Sequence, residues 1–189
     1  EVIFTGLKRN IEYRDVFFSF NSKKVLKGIS FIVNKNEKIG IVGPTGVGKT
    51  TLVGLLLRFY DVDRGEILID GKNIKEYQIN SITQHIGFVS QQPILFHATV
   101  KENITLGFEN EKRFKEVMNI NGIKTFIDLL PEKENTIIGE RGITLSGGQK
   151  QLISIARAIY KDPDILIFDE ATASLDTESE KMIQDAISQ

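Results

Sequence analysis

The segment GPTGVGKT, residues 43–50, has the residue types and spacing that hold a chain of phosphates. It matches the pattern G-x-x-x-x-G-K-[ST] at every fixed position. The glycines let backbone N–H groups converge on phosphate oxygens, and the positive end of the following helix dipole adds to the attraction. The pattern predicts that Lys49 reaches the β and γ phosphates of a nucleotide and that the Thr50 hydroxyl ligates Mg²⁺. The alternative, a glycine turn that only joins a strand to a helix, does not require this Lys-Thr pair.

The segment ILIFDE, residues 165–170, places two carboxylates at the end of a short apolar run. Open α/β sheets bind their ligands at the carboxyl ends of the strands. Asp169 is predicted to hold Mg²⁺ directly or through water, because this hard cation prefers oxygen ligands. Glu170 is predicted to act as the catalytic base, which accepts a proton from the attacking water or orients that water. A solvated strand end is the alternative, and the complete phosphate loop upstream makes it the weaker one.

A second glycine-containing turn lies in LSGGQKQ, residues 145–151, and leads directly into an apolar helical pattern. A serine and two glycines at the start of a helix also suit an anion. One small domain with two such loops therefore needs an explanation.

Apolar spacing predicts the elements that position these loops. Strands are expected where short apolar or alternating runs occur, and helices where the period is near 3.6. Strands alternating with helices around a buried apolar sheet indicate an α/β fold. The predicted strands are 11–20, 39–42, 64–72, 86–89 and 165–168, and the predicted helical regions are 49–59, most of 99–160, and 177–187.

The composition narrows the function classes. With 189 residues the chain suits one domain, and 41% hydrophobic with 26% charged residues is ordinary for a globular protein. A net charge of −1 argues against a dedicated nucleic-acid binder, so no nucleic-acid partner is expected. The absence of cysteine excludes disulfides and thiol chemistry. No apolar stretch is long enough to predict a transmembrane helix.

With LSGGQ at 145–149 upstream of ILIFDE, the chain resembles the nucleotide-binding domain of ATP-binding cassette (ABC) transporters over nearly its whole length. The resemblance implies a P-loop NTPase core with a mainly parallel sheet, an N-terminal antiparallel β part and a helical subdomain that carries the signature motif. It implies that the signature loop faces the γ phosphate of ATP held by an opposite subunit. The second loop would then serve the nucleotide of a partner.

The resemblance also implies roles for single residues. Gln91 corresponds to the family's glutamine that contacts Mg²⁺ or water and links the site to the membrane domain. Ser174, Leu175 and Asp176 resemble a segment that crosses the dimer interface. Phe20 falls where the family stacks an aromatic ring on adenine, and an ordinary core residue is the open alternative. The residues expected to contact nucleotide are Phe20, Gly43, Pro44, Thr45, Gly46, Val47, Gly48, Lys49, Thr50, Thr51, Gln91, Ser146, Gly147, Gly148, Gln149, Asp169 and Asp176.

Two further segments resemble the exporter branch of the family. They are LFHATVKENI at 95–104 and GERG at 139–142, which in exporters lies against intracellular loops of the transmembrane domains. Glu140 and Arg141 could instead be plain surface charges. The combination favours an exporter over an importer.

The expected domain organisation is a single nucleotide-binding domain over 1–189, with 1–91 and 158–189 as ATP-binding core and 92–157 as helical subdomain. The family also has a switch histidine beyond the position of Asp176, and the only histidines here are His85 and His97. The domain is therefore expected to be incomplete at its C-terminus, to bind Mg-ATP and to hydrolyse it poorly by itself.

The resemblance implies an ATPase motor at the cytoplasmic face of a membrane. Its expected cofactors are ATP and Mg²⁺, and its expected partners are a second nucleotide-binding domain, in a homodimer or heterodimer, and the transmembrane domains. One alternative is a soluble ABC ATPase of DNA repair or chromosome organisation, which would need a long coiled coil that has no room here. Another is a regulatory module that binds nucleotide without turnover, which would not need Glu170.

Overall fold

The computed structural model describes residues 1–139, 142–169 and 181. The chain divides into two compact units, residues 1–85 and residues 86–189.

The first unit is built on a four-stranded antiparallel sheet with the strand order β2-β1-β3-β4. Its strands are β1 (Asn10–Phe20), β2 (Lys23–Asn34), β3 (Arg64–Ile69) and β4 (Lys72–Asn73). The predicted strand at 11–20 is confirmed, and the predicted strand at 64–72 is present as β3 and β4 joined by the turn at Asp70–Gly71.

Alternation along β1 determines which face of this sheet is buried. Ile11, Tyr13 and Val16 are buried, and a bulge between Tyr13 and Val16 keeps Val16 on the core side. The Tyr13 hydroxyl donates a 3.0 Å hydrogen bond to the carbonyl of Leu52, so the sheet is tied to the helix that follows the phosphate loop. Burial raises the pKa of the Tyr13 hydroxyl, which therefore stays protonated as a donor.

Two α-helices and one 3₁₀ helix complete the first unit: α1 (Lys49–Leu56), the 3₁₀ helix Ile74–Glu76 and α2 (Ile79–Gln84). The helix predicted at 49–59 is confirmed but ends earlier. Arg58 adopts a left-handed conformation with φ 56°, and the N–H of Phe59 donates to the carbonyl of Gly54 at 2.9 Å. This six-to-one hydrogen bond is that of a Schellman motif, which closes the helix end.

The predicted strand at 39–42 is wrong. Within the described ranges this segment pairs with no strand, and the Val42 side chain is 92% exposed. A four-residue apolar run predicts a strand from composition alone. A strand forms, however, only when its backbone is hydrogen-bonded to a neighbouring strand. The run carries no information about that neighbour.

The second unit contains a parallel strand pair, β5 (Ile86–Val89) with β8 (Ile165–Phe168), as predicted for both segments. Gly87 permits close packing, because a Cβ there would lie 2.8 Å from Leu166 Cδ2 and 3.0 Å from the carbonyl oxygen of Ala158. A short antiparallel pair joins β6 (Ala98–Thr99) to β7 (Ile137–Ile138).

Helices occupy most of the segment between β5 and β8. They are α3 (Val100–Thr105), α4 (Glu111–Met118), α5 (Asn121–Asp128), the 3₁₀ helix Lys133–Asn135 and α6 (Gly147–Tyr160). The buried side chains of α6, among them Leu152, Ile153 and Ile155, pack with Val100, Ile104, Phe126 and Ile138 in one apolar core. This helix is therefore the centre of the second unit.

The structure confirms an α/β fold that contains both antiparallel and parallel strands. The larger parallel sheet and the subdivision into core and helical subdomain remain predictions. The helix predicted at 177–187 lies outside the described residues, apart from Lys181. In the part of the chain that the structure describes, no helix is long and apolar enough to cross a membrane.

Candidate nucleotide-binding site

The phosphate-loop sequence forms an open turn that leads into α1. Gly46 has φ 81° and Gly48, at the N-cap of α1, has φ 109°. The N–H of Val47 donates to the carbonyl of Pro44 at 3.3 Å, which bends the loop upon itself. Among the described residues no side chain caps α1, so its positive end is directed into this turn.

Gly48 is required here for a second reason. A Cβ at this position would lie 2.8 Å from Leu26 Cδ2 and 3.0 Å from Val25 Cγ1, both on β2. At Gly46, by contrast, a Cβ would meet nothing within 4 Å. The loop is therefore packed tightly against the sheet at Gly48 and open at Gly46, where a ligand can approach the backbone.

Lys49 bends back over the loop. Its Nζ donates to the carbonyl of Gly43 at 3.0 Å and to that of Pro44 at 3.2 Å. The Lys49 ammonium group carries one positive charge and only donates hydrogen bonds, so its position places a cation at the mouth of the turn. Thr51 is buried against the core, whereas the Thr50 side chain is exposed. The donors, the charge and the helix end all fit a polyphosphate.

Phe20 lies at the end of β1 and is 41% exposed, so it is not an ordinary buried core residue. Its ring packs perpendicular to Phe18, at 4.7 Å between centroids, and to Tyr60, at 5.0 Å. Tyr60 was missed by the sequence analysis. It packs over Gly54 of α1, where a Cβ would lie 3.3 Å from Tyr60 Cε2. The sequence feature that could have indicated Tyr60 is the aromatic pair Phe59–Tyr60 at the end of the helical pattern.

In the second unit, the predicted Mg²⁺ ligands Asp169 and Gln91 follow the carboxyl ends of two paired strands. Asp169 comes directly after β8, and its N–H donates to the carbonyl of Val89 at 3.0 Å, so it extends the ladder with β5. Gln91 lies two residues beyond β5 in an exposed bend. The structure thus brings these segments to one sheet edge, as the general rule for parallel sheets predicts.

The signature loop begins α6. Ser146 is the N-cap, and its Oγ accepts from the N–H of Gln149 at 3.2 Å. In return, Gln149 Oε1 accepts from the N–H of Ser146 at 2.9 Å. Gly148 is buried and Gly147 is exposed in the first turn. This reciprocal capping box holds the serine hydroxyl at the positive end of a 14-residue helix.

A buried glutamine in α6 was also missed. Gln151 Nε2 donates to the carbonyl of Ser90 at 3.2 Å, directly before Gln91. The only sequence signal was an amide within an apolar helical pattern.

Several predicted functional residues lie outside the described residues. They are Glu140, Arg141, Glu170, Ser174, Leu175 and Asp176.

The chain is similar to proteins of a known family in the region that contains this site. The family model described as ABC transporter matches residues 26–173, which include the phosphate loop, the signature loop and Asp169. The matched region is well over half of the chain.

Individual relatives agree with this match. The chain is 43% identical over 190 residues to the ABC transporter B family member 21 of Arabidopsis thaliana, covering 98% of this chain and 15% of that protein. It is 45% identical over 183 residues to the leptomycin B resistance protein pmd1 of Schizosaccharomyces pombe, covering 94% of this chain and 13% of that protein. The chain thus spans only a small part of these relatives.

A solved structure resembles the chain closely. It is a bacterial Atm1-family ABC exporter with ATP bound, with a TM-score of 0.88 and 38% identity, covering 99% of this chain and 33% of that one. The matched phosphate loop, strand end and signature motif lead to one conclusion: this chain belongs to the ABC transporter family.

Proposed function

We propose that this chain is the ATP-binding and ATP-hydrolysing motor domain of an ABC exporter. The observation that carries the proposal is the arrangement at the head of α1. There Gly46 and Gly48 have positive φ, and Lys49 Nζ bends back onto the carbonyls of the loop. A helix end, a glycine turn and an ammonium group converge on one small volume, which is what a chain of phosphates needs.

The loop residues are proposed to bind ATP as follows. Backbone N–H groups of the loop would surround the phosphates, Lys49 would contact the β and γ phosphates, and the Thr50 hydroxyl would be a ligand of Mg²⁺. Phe20, exposed beside Tyr60, is proposed to stack on the adenine, since a partly exposed ring offers a surface to a base.

In the second unit, Asp169 and Gln91 are proposed as Mg²⁺ ligands. Mg²⁺ is a hard cation that prefers oxygen ligands, and these side chains supply a carboxylate oxygen and an amide oxygen. Bound Mg²⁺ would neutralise the charge that develops on the phosphates. Glu170 is proposed to orient the attacking water and accept its proton, a function that a module without turnover would not need.

The signature loop is proposed to serve the ATP of a second nucleotide-binding domain, in a homodimer or heterodimer. Ser146, Gly147, Gly148 and Gln149 would face the γ phosphate of that partner, with Asp176 at the interface. The support is the capped and exposed Ser146 at the positive end of α6. This proposal explains why one domain has two glycine-containing anion loops.

The transmembrane domains are the second proposed partner, which would place the chain at the cytoplasmic face of a membrane. Ile94 and Phe96 expose 74% and 56% of their surface in the second unit. A groove lies beside the segment before the signature loop and is lined by Pro93, Leu95, Gly139, Ile143, Thr144, Leu145 and Lys150. An exposed apolar patch with a groove suits a protein contact. The similarity to the bacterial Atm1-family ABC exporter supports the choice of an exporter.

The domain organisation remains our proposal, with residues 1–91 and 158–189 as ATP-binding core and 92–157 as helical subdomain.

Two measurements test the proposed function. One is an ATP-binding titration of the chain, and the other is light scattering of its Glu170→Gln variant with and without Mg-ATP. We expect ATP binding and an ATP-dependent dimer. Lys49→Met should weaken ATP binding by roughly 10-fold or more, because one charge-assisted contact is lost. Wild-type affinity in the Lys49→Met variant would contradict the proposal.

A further inference from the structure

Gln151 is a polar side chain in an apolar environment. It is 3% exposed and precedes Leu152 and Ile153, both of which are buried in the core around α6. Burying an amide is unfavourable unless its groups are hydrogen-bonded. Gln151 Nε2 donates at 3.2 Å to the carbonyl of Ser90, a residue 61 positions away in the sequence. The contact therefore joins α6 to the end of β5.

The point of attachment is specific. Ser90 immediately precedes Gln91, and its hydroxyl donates to the carbonyl of Gln92 at 3.2 Å. The preceding carbonyl, that of Val89, accepts from the N–H of Asp169 at 3.0 Å. Two consecutive carbonyls before Gln91 are thus held, one by the Asp169 segment and the other by the helix that begins at the signature loop.

We propose that Gln151 is a positioning residue that couples the signature helix to Gln91. The inference rests on the proposed function, in which the signature loop serves a partner's ATP and Gln91 serves the nucleotide of its own subunit. A shift of α6 when Ser146 contacts the partner's nucleotide then moves the Ser90 carbonyl and, with it, Gln91. Gln151 thereby links the two ATP sites of a dimer through one buried hydrogen bond.

The test uses ATP turnover of the full-length protein and the Mg²⁺ concentration that gives half-maximal turnover. Gln151→Met keeps the side-chain length and removes the donor. We expect about 10-fold lower turnover and a several-fold higher Mg²⁺ requirement, as is typical when a group that orients a ligand is lost. ATP affinity should stay near wild type. Ser154→Ala, also buried in α6, is the matched control and should leave both quantities unchanged.

A double variant separates the inference from the proposed function. If Gln151 acts through Gln91, the Gln151→Met change should cost nothing further in a Gln91→Ala background. Additive losses, or a Gln151→Met variant with wild-type turnover and Mg²⁺ requirement, would overturn the inference while leaving the proposed function intact. Wild-type turnover of Gln91→Ala would overturn both the proposed role of Gln91 and the inference.

Folding of the variants is followed by thermal unfolding. Gln151→Asn, which keeps a polar group but cannot span the same distance, serves as the second variant. It should reproduce the effects of Gln151→Met on turnover and on the Mg²⁺ requirement. Failure of both variants to fold would assign Gln151 to stability alone and overturn the inference.

Discussion

Ser146 and Gln149 cap each other across the first turn of α6. The N–H of Gln149 donates to Ser146 Oγ at 3.2 Å, and the N–H of Ser146 donates to Gln149 Oε1 at 2.9 Å. A hydroxyl has one donor and two acceptor sites, so accepting from Gln149 leaves the Ser146 O–H able to donate to an anion. The hydrogen bond from the Gln149 N–H therefore both stabilises the start of the helix and orients the Ser146 hydroxyl, which is proposed to donate to phosphate.

This relationship predicts a double effect of Ser146→Ala. The helix loses its cap, which should lower the free energy of unfolding by about 1 kcal/mol. The ATP-dependent dimer of the Glu170→Gln variant should also be lost, because the partner's nucleotide loses a donor. Asn110→Ala is the matched control, since Asn110 caps α4 by accepting from the N–H of Arg113 at 3.0 Å. It should reduce stability equally and leave the dimer intact, and loss of the dimer in both variants would contradict the prediction.

The two glycines of the phosphate loop should respond differently to alanine. Gly46→Ala introduces only backbone strain at φ 81°, about 1 kcal/mol, because space is open around it. Gly48→Ala adds a clash with Leu26 and Val25, so the total loss should be roughly 3 kcal/mol. Urea unfolding measures both changes. Equal destabilisation by the two substitutions would argue against the close approach at Gly48.

If Phe20 stacks on the base, ATP affinity should depend on the presence of an aromatic ring at this position and not on its polarity. Phe20→Tyr should bind ATP like the wild type, and Phe20→Ala should bind about 10-fold more weakly. The same loss is expected with GTP, because every base has a π-face. Inorganic tripolyphosphate provides the control ligand, since it has no base and its affinity should not change. A Phe20→Ala loss that also appears with tripolyphosphate would indicate a disturbed loop instead of lost stacking.

Glu102 should make the stability of the second unit depend on pH. Hydrogen bonds from the backbone N–H and then the hydroxyl of Thr99, both 2.8 Å, lower the pKa of this carboxyl below its ordinary 4.5. The folded pKa is thus below the unfolded one, so the stabilisation is present at neutral pH and is lost as pH falls through the folded pKa.

Thermal unfolding of the wild type and of Glu102→Gln, measured from pH 7 to below pH 4.5, tests whether the charge of Glu102 stabilises the fold. The wild type should have the higher melting temperature at pH 7, and the difference should shrink below pH 4.5. A difference that is independent of pH would show that the charge of Glu102 does not contribute.

Much of the candidate site was predictable from local sequence. The phosphate loop, the helix after it and the helix start at LSGGQ depend on short-range rules of glycine conformation and apolar spacing. These rules act within a few residues, so the order of residue types is sufficient to predict them. The family itself follows from the same motifs, because their types and spacing are distinctive.

Only the tertiary structure decided the contacts between distant segments. Residues 39–42 have a strand-like composition, yet no strand pairs with them among the described residues, since pairing depends on a partner that the segment itself does not encode. The Tyr60 ring packs on Phe20, and Gln151 donates a hydrogen bond to the Ser90 carbonyl. Both contacts form because folding brings together residues that are far apart in the chain. The sequence alone determined which residues could bind phosphate, and the packing of α6 determined which buried side chain is hydrogen-bonded to the Ser90 carbonyl next to Gln91.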